Sequence, residues 1–214
     1  MKIPENKTLQ ELFEWRFDKT PDSVAHKFLD RETTYKDLNI FSNQIANGLI
    51  NLGCKPDTRV AYYGKNSDYF FECIIGTLKS NTVAVGVNWR LAPPEVSYVL
   101  NDSESEVLFV GEEFYPIIDQ ILNELPKIKK VIAIDGRHEN FQDFLSWRDS
   151  QDSSATGLKS SDDDDILQLY LWITYTGCIL VSNDKHSNYI NKLNNDKYLL
   201  GLFNEYKRLF QLAL

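Results

Sequence analysis

The chain has 214 residues, 43% hydrophobic and 13% aromatic, enough for one domain with a substantial core or for a large piece of a bigger one, and too apolar for a disordered chain. Lys plus Arg number 23 against 31 Asp plus Glu, a formal net charge of -8, which argues against a nucleic-acid backbone as the main partner because phosphate binding requires a basic face. Cys54, Cys73 and Cys178 are far apart and form no CxxC pair, the N-terminus lacks the apolar segment of a secretory signal, and no run reaches the roughly 18 apolar residues of a membrane span; the expectation is a reduced, cytoplasmic protein with no transmembrane segment.

In chain order, "TLQELFEWRF" has Leu9, Leu12 and Phe13 near helical spacing, with Thr8 as its cap. "SVAHKFL" reads as a short strand. "TTYKDLNIFSNQIANGLINLG" is the clearest helix: Leu38, Phe41, Ile45, Leu49 and Leu52 share a face, and Gly53 supplies the stop. A strand "TRVAYYG" leads to a largely apolar helix "SDYFFECIIGTLKSN", capped by Ser67 or Asp68, and then to the β-branched strand "TVAVGVN". Pro93 and Pro94 in "APPEVSYVLNDS" mark a helix start, where a missing amide hydrogen costs least. "SEVLFVG" and "KKVIAIDG" are strands on either side of a helix "EFYPIIDQILNEL", and "NFQDFLSWRDS" is a short helix. Alternation of this kind predicts an α/β fold, a mostly parallel sheet with helices on both faces. A binding crevice belongs at the carboxyl ends of its strands.

The polar, acidic run Arg148 to Asp165 reads as a solvated loop. An apolar, nearly uncharged stretch follows, "LQLYLWITYTGCILVSND", which begins as a buried strand should. From Asp184 onward the composition shifts: five Lys or Arg against three acids give +2, asparagines cluster, and "YLLGLFNEYKRLFQLAL" has a wide apolar helical face. The predicted units are therefore residues 1–183 and a divergent tail of 184–214, with self-association through Tyr198–Leu214 as one use of the tail.

Spacing alone selects no catalytic set. His26, His138 and His186 are scattered, without metal-ligand spacing, and read as surface or loop histidines. The acids Asp162 to Asp165 point in different directions and read as a solvated run rather than a cation site. Cys73 reads as core, and burial of Cys178 among apolar neighbours would suppress its thiolate. Trp89, Tyr98, Trp147, Tyr170 and Trp172 read as core aromatics.

The order of the segments carries a resemblance. Thr34, Tyr35 and Leu38 at the entry to a long helix, Gly53 to Ala61 with Asp57, Leu78 to Glu95, and above all "VNWRLAPPE" from Val87 to Glu95 resemble the N-terminal part of the AMP-forming acyl-CoA synthetases, within the adenylate-forming superfamily. The resemblance covers roughly residues 8 to 170 and implies the N-terminal part of the large adenylate-forming domain, truncated. It also implies ATP, Mg2+ and CoA as cofactors, and a fatty or other carboxylic acid as partner.

In that family an acidic loop and a strand ending in Tyr lead into "YTSGTTGLPKGV.LSN", whose glycines, hydroxyls and lysine embrace the phosphates of ATP. Here both flanks are present, "DDDDILQLY" and "LVSND", but the middle between them is "LWITYTGCILV". Thr176 and Gly177 survive from that loop, and Thr174 stands in for another hydroxyl. The lysine and the other glycines are gone, and Leu171, Trp172 and Ile173 would fill the space a triphosphate needs. Intact flanks around a shortened middle predict a loop overwritten by local frameshift or decay, and a chain that has no adenylation activity alone. A non-catalytic protein- or membrane-interaction module on the same scaffold is the alternative.

Overall fold

The structure is a computed structural model and describes residues 8–159. Helix α1, Leu9–Lys19, starts where the sequence places it. Thr8 accepts a hydrogen bond from the Glu11 amide (3.0 Å), and the Glu11 carboxylate accepts one from the Thr8 amide (3.2 Å), a reciprocal cap that satisfies two orphan donors. Strands β1 (Val24–Phe28) and β2 (Arg31–Thr34) form an antiparallel hairpin, with Leu29 at φ 55° in its turn. Sequence reading missed β2, because "RETT" is short, carries two charges and runs directly into the next helix. That helix, α2 (Tyr35–Asn51), has the same reciprocal cap through Thr34 and Asp37, and the chain leaves it through Gly53 at φ +85°.

The main sheet has the order β4-β3-β5-β6-β7, and every pair in it is parallel. Its strands are β3 (Arg59–Tyr63), β4 (Val83–Val87), β5 (Val107–Gly111), β6 (Lys130–Ile134) and the two-residue β7 (Gln142–Asp143). Helices α3 (Asp68–Lys79), α4 (Pro93–Asp102), α5 (Tyr115–Ile121) and α6 (Phe144–Asp149) connect or follow them. One face of the sheet, with Ala61, Tyr63, Val85, Leu108 and Val110, packs on α4 and α5 through Val96, Leu100, Ile118 and Ile121. The other, with Val60, Tyr62, Val107, Phe109 and Ile132, packs on α2, α3 and α6 through Ile45, Leu49, Cys73, Phe144 and Trp147. Successive residues of one strand thus feed two cores, which is why "VLFVG" is buried at every position.

Several sequence expectations need correction. The single helix expected over "EFYPIIDQILNEL" is a short α5 between two 3-10 turns, Glu112–Phe114 and Leu122–Glu124. Pro116 lacks an amide hydrogen and its ring crowds the carbonyl four residues back, so the first turn closes as Tyr115 N–H to Glu112 O. At the far end Leu125 precedes Pro126 and is steered out of the helical region. Tyr98, read as core, is 59% exposed. Arg148, read as the start of a solvated loop, is buried on α6 and ion-paired to Glu72 of α3 at 2.7 Å.

Beyond it, residues 151–159 are not a free loop but a strap laid along α2. Asn43, Asn47 and Asn51 stand four residues apart on one helix face. Their amides donate to Ser153 O (2.9 Å), to Asp152 O and Ser154 O (2.8 and 2.9 Å), and to Gln151 Oε1 (2.9 Å). Gln10 then holds Leu158 O and Asn81 holds Lys159 O, each at 2.9 Å. The predicted phosphate-loop residues Thr174, Thr176 and Gly177, the acidic run Asp162 to Asp165, Cys178, His186 and the tail of 184–214 lie outside the described residues.

Candidate functional site

The topology singles out one place on the sheet. Strands β3 and β5 are neighbours, yet the helix after β3 lies on one face and the helix after β5 on the other. Between such divergent connections a crevice opens beyond the carboxyl ends of the strands. Here its floor is made of Gly64, directly after β3, and Gly111, the last residue of β5. A Cβ on Gly111 would stand 3.6 Å from Gly64 Cα, so the two backbones run close together.

The walls come from the four loops at that end. Lys65 pairs with Glu113 at 2.6 Å, both more than half exposed, and its ammonium lies 5.5 Å from the Trp89 ring centre. Arg90 stacks on the same indole at 4.0 Å, and its backbone N–H donates to Asn88 Oδ1 at 3.0 Å. Trp89 is half-buried against the core under α4, with one part available to the crevice. On the adjoining side Asp68 opens α3 and is buried. Its two oxygens take the Arg31 Nε and Nη2 hydrogens at 2.7 Å each, which ties the β1-β2 hairpin to the helix start. Burial alone would lift the Asp68 carboxyl, but the hydrogen bonds and charge of Arg31 outweigh it and hold the group below its ordinary value.

Asp135 follows β6 at φ 69° and is exposed at the surface. Burial raises its carboxyl, Arg31 opposes that, and the charges of Asp68, Glu112 and Glu113 add to it. The Tyr62 hydroxyl, buried beneath, donates to Lys65 O at 3.2 Å and is pushed well up by burial. Tyr115 donates to Ile134 O at 2.8 Å and is pushed up to about 12, mainly by burial. Both phenols therefore stay neutral around pH 7 and act as fixed hydrogen-bond donors that hold the loop backbones.

At this end stand the carboxylates Asp68, Glu112, Glu113 and Asp135 and the cations Arg31, Lys65, Arg90 and Arg137, with Arg31 already paired to Asp68 and Lys65 to Glu113. Among the described residues no three His, Cys, Asp or Glu side chains come together as a metal-holding group. The described part thus supplies an aromatic wall, two exposed cations and a rigid floor. It does not make a phosphate cradle by itself, because Arg31 is already held by Asp68 and Lys65 by Glu113.

The sequence expectations divide accordingly. The switch point that would place a crevice at the carboxyl ends of the strands lies between β3 and β5. Trp147 and Cys73 are core, and Trp89 packs half-buried against the core with Lys65 and Arg90 over its ring. His26 lies on β1, stacked on Phe71 at 5.5 Å, and His138 bonds Asp119 at 3.0 Å while stacked on Phe141 at 3.7 Å. Sequence reading did not pick Lys65, Arg90, Asp135 or the Arg31–Asp68 pair. The available signal was position: each apart from Arg31 lies within five residues after a strand of the parallel sheet.

The chain matches the family described as AMP-binding enzyme over residues 13–177. It is 34% identical over 168 residues to a fatty acid–[acyl-carrier-protein] ligase, ScoC, of Streptomyces coeruleorubidus, covering 78% of this chain and 31% of that protein. It is 40% identical over 116 residues to bacitracin synthase 2 of Bacillus licheniformis, covering 54% of this chain and 4% of that one. Among solved structures, an anthranilate CoA ligase in complex with anthranoyl-AMP superimposes with a TM-score of 0.68 at 27% identity, over 77% of this chain and 32% of that chain. The N-terminal domain of FACL13 from Mycobacterium tuberculosis superimposes with a TM-score of 0.66 at 28% identity, over 74% of this chain and 40% of that chain. The chain spans about a third of the length of the first of these relatives. Its parallel sheet, its crevice and a family match running through most of its length place this chain in the AMP-binding enzyme family.

Proposed function

We propose that this chain is the N-terminal part of a carboxylate-activating ligase. In that reaction a carboxylate oxygen attacks the α-phosphate of ATP, pyrophosphate leaves, and a thiol then displaces AMP from the acyl adenylate. The observation that carries this reading is the family match over residues 13–177, centred on a sheet whose crevice lies at its switch point. On this reading a fatty or other carboxylic acid is the acyl substrate, Mg2+ accompanies the nucleotide, and CoA is the accepting thiol. Thr174, Thr176 and Gly177 are the remnant of the phosphate loop. A relative that acts on fatty acids and a neighbour holding an aryl adenylate both support a carboxylate as substrate.

We further propose that the chain alone does not turn over. Catalysis of this reaction depends on donors and cations placed where phosphate charge develops. In the described part Arg31 and Lys65 are already paired with carboxylates, and "LWITYTGCILV" offers few substitutes. The test is pyrophosphate release by the purified chain with ATP, Mg2+ and a panel of fatty and aryl acids. No release above the rate without protein is expected, and acid-dependent release would overturn the proposal of inactivity while supporting the family chemistry.

A further inference from the structure

Lys79 ends α3 and is only 4% exposed, a rare place for an ammonium. Its hydrogen-bond acceptors are neutral: Asn39 Oδ1 (2.6 Å), Asn43 Oδ1 (2.7 Å) and Asn39 O (3.3 Å). Two elements meet at this group. Helix α1 brings Phe17, whose ring centre lies 4.8 Å from the ammonium and which packs on Leu38 and Ile75. The strap brings Thr156, whose hydroxyl donates to Lys79 O at 2.7 Å, and Ser153, whose carbonyl takes the Asn43 amide at 2.9 Å. Asn43 thus holds the ammonium with its oxygen and the strap with its nitrogen. Gln10 of α1 closes the circuit, donating to Leu158 O at 2.9 Å and to Glu14 at 3.1 Å.

We propose that α1 and the strap form a clamp on the α2–α3 pair that closes more firmly when Lys79 gives up its proton. The charged group that faces Lys79 is Glu14 of α1, which is exposed. The other charges on the surrounding elements are engaged elsewhere or solvated. On α1, Arg16 lies over the Tyr35 ring, and Asp18 and Lys19 are exposed. On α2, Asp37 caps the helix at Thr34 and Lys36 is exposed. On the strap, Asp152 takes the Ser154 amide and Lys159 is exposed. On α3, Asp68 pairs with Arg31 and Glu72 with Arg148, and Asp57, whose amide bonds Asn81 O, is exposed. Burial therefore outweighs the pull of Glu14 and brings Lys79 down from 10.5 to about 7. Opening the clamp returns water to the ammonium and its affinity for a proton toward the ordinary value. Between the two values the open clamp keeps a proton that the closed clamp has released. Closure thus gains as pH rises through that window, by about tenfold per pH unit at most, and is level below about pH 7, where both forms are charged. The neutral amine still has two N–H groups for Asn39 Oδ1 and Asn43 Oδ1, so the link to the strap through Asn43 survives deprotonation.

Hydrogen exchange on the full chain, without nucleotide, tests this independently of any enzymatic role, with each rate divided by the open-chain rate at the same pH. The amides of Phe13 to Phe17 in α1 are expected to exchange faster than those of β5, through opening of the clamp alone. Their protection should rise about tenfold or more between about pH 7 and pH 9. Lys79→Met has no proton to lose and should hold α1 at its high-pH protection throughout. Flat protection of α1 in the unaltered chain overturns the proposal. So does a rise that survives in Lys79→Met, which would assign it to another group. Exchange of α1 only in step with β5 also overturns it, since the clamp would then not open apart from the sheet. Should Lys79→Met fail to fold, Lys79→Gln, likewise without charge, carries the same expectation.

Discussion

At the scale of single residues, the buried ionic groups are the sensitive points. Glu72 and Arg148 are both nearly inaccessible and 2.7 Å apart, and Arg148 also lies 4.0 Å from the centre of the Phe41 ring. Burial lifts the Glu72 carboxyl to about 7 even against the attraction of Arg148. Arg148→Met leaves that carboxyl without a partner and is expected to cost about 3–5 kcal/mol in urea unfolding. Adding Glu72→Leu should recover most of the loss, since an apolar pair of similar volume replaces a buried ion pair at little cost. Lys79 is the second case. Its ammonium, buried 4.8 Å from the Phe17 ring centre, donates to Asn39 Oδ1 (2.6 Å), Asn43 Oδ1 (2.7 Å) and Asn39 O (3.3 Å). Burial lowers its pKa from 10.5 to about 7, with Glu14 opposing. Between those two values the unfolded chain binds the proton that the folded chain has released. The Lys79 contribution to stability therefore rises with pH across that window, by about 1.4 kcal/mol per pH unit at most. Lys79→Met should remove that slope from the stability–pH curve while leaving the acid limb, and an unchanged slope would refute the assignment.

At the scale of elements, close helix contacts depend on glycine. A Cβ on Gly76 of α3 would lie 2.5 Å from Ile45 Cγ2 of α2 and 3.3 Å from Ser42 O. Gly76→Ala should therefore destabilise by about 1–3 kcal/mol through overpacking, although alanine is the better helix former. A stabilised variant would mean that the two helices can separate at no cost. The helices themselves were largely legible. Thr8 announced one helix start and Gly53 an end, because capping is chemistry between residues close in sequence, whereas the equivalent cap at Thr34 was not read. The hairpin strand β2 was not legible, because its partner β1 is what makes it a strand. The strap was not legible either: "RDSQDSSATGLK" is polar, and amides distant in sequence, on Asn43 and Asn47 of α2 and on Gln10 and Asn81, turn its backbone carbonyls into anchored ones.

At the scale of the whole molecule, the described part amounts to a frame for a crevice rather than a complete nucleotide site. A thermal melt with and without magnesium-ATP is expected to be cooperative and unmoved by the nucleotide. A ligand binding only the folded state must raise the midpoint by mass action, so an upward shift would show that residues beyond the described ones hold nucleotide. The crevice was legible in outline, since alternating strands and helices already imply a parallel sheet with its ligand end at the strand carboxyl termini. Which side chains meet there was not. Lys65, Trp89, Arg90 and Glu113 come from three separate loops, and no sequence period relates them.

The sequence by itself determined the layers: apolar strands buried on both faces, helices with one apolar side, and a family motif run through "VNWRLAPPE". These follow from local burial patterns and short-range capping. The tertiary structure decided the strand order β4-β3-β5-β6-β7, the switch point between β3 and β5, and the pairing of Glu72 with Arg148 across 76 positions of chain. Those features arise from contacts between segments distant in sequence. Their energies depend on which faces come together, and no local pattern records that.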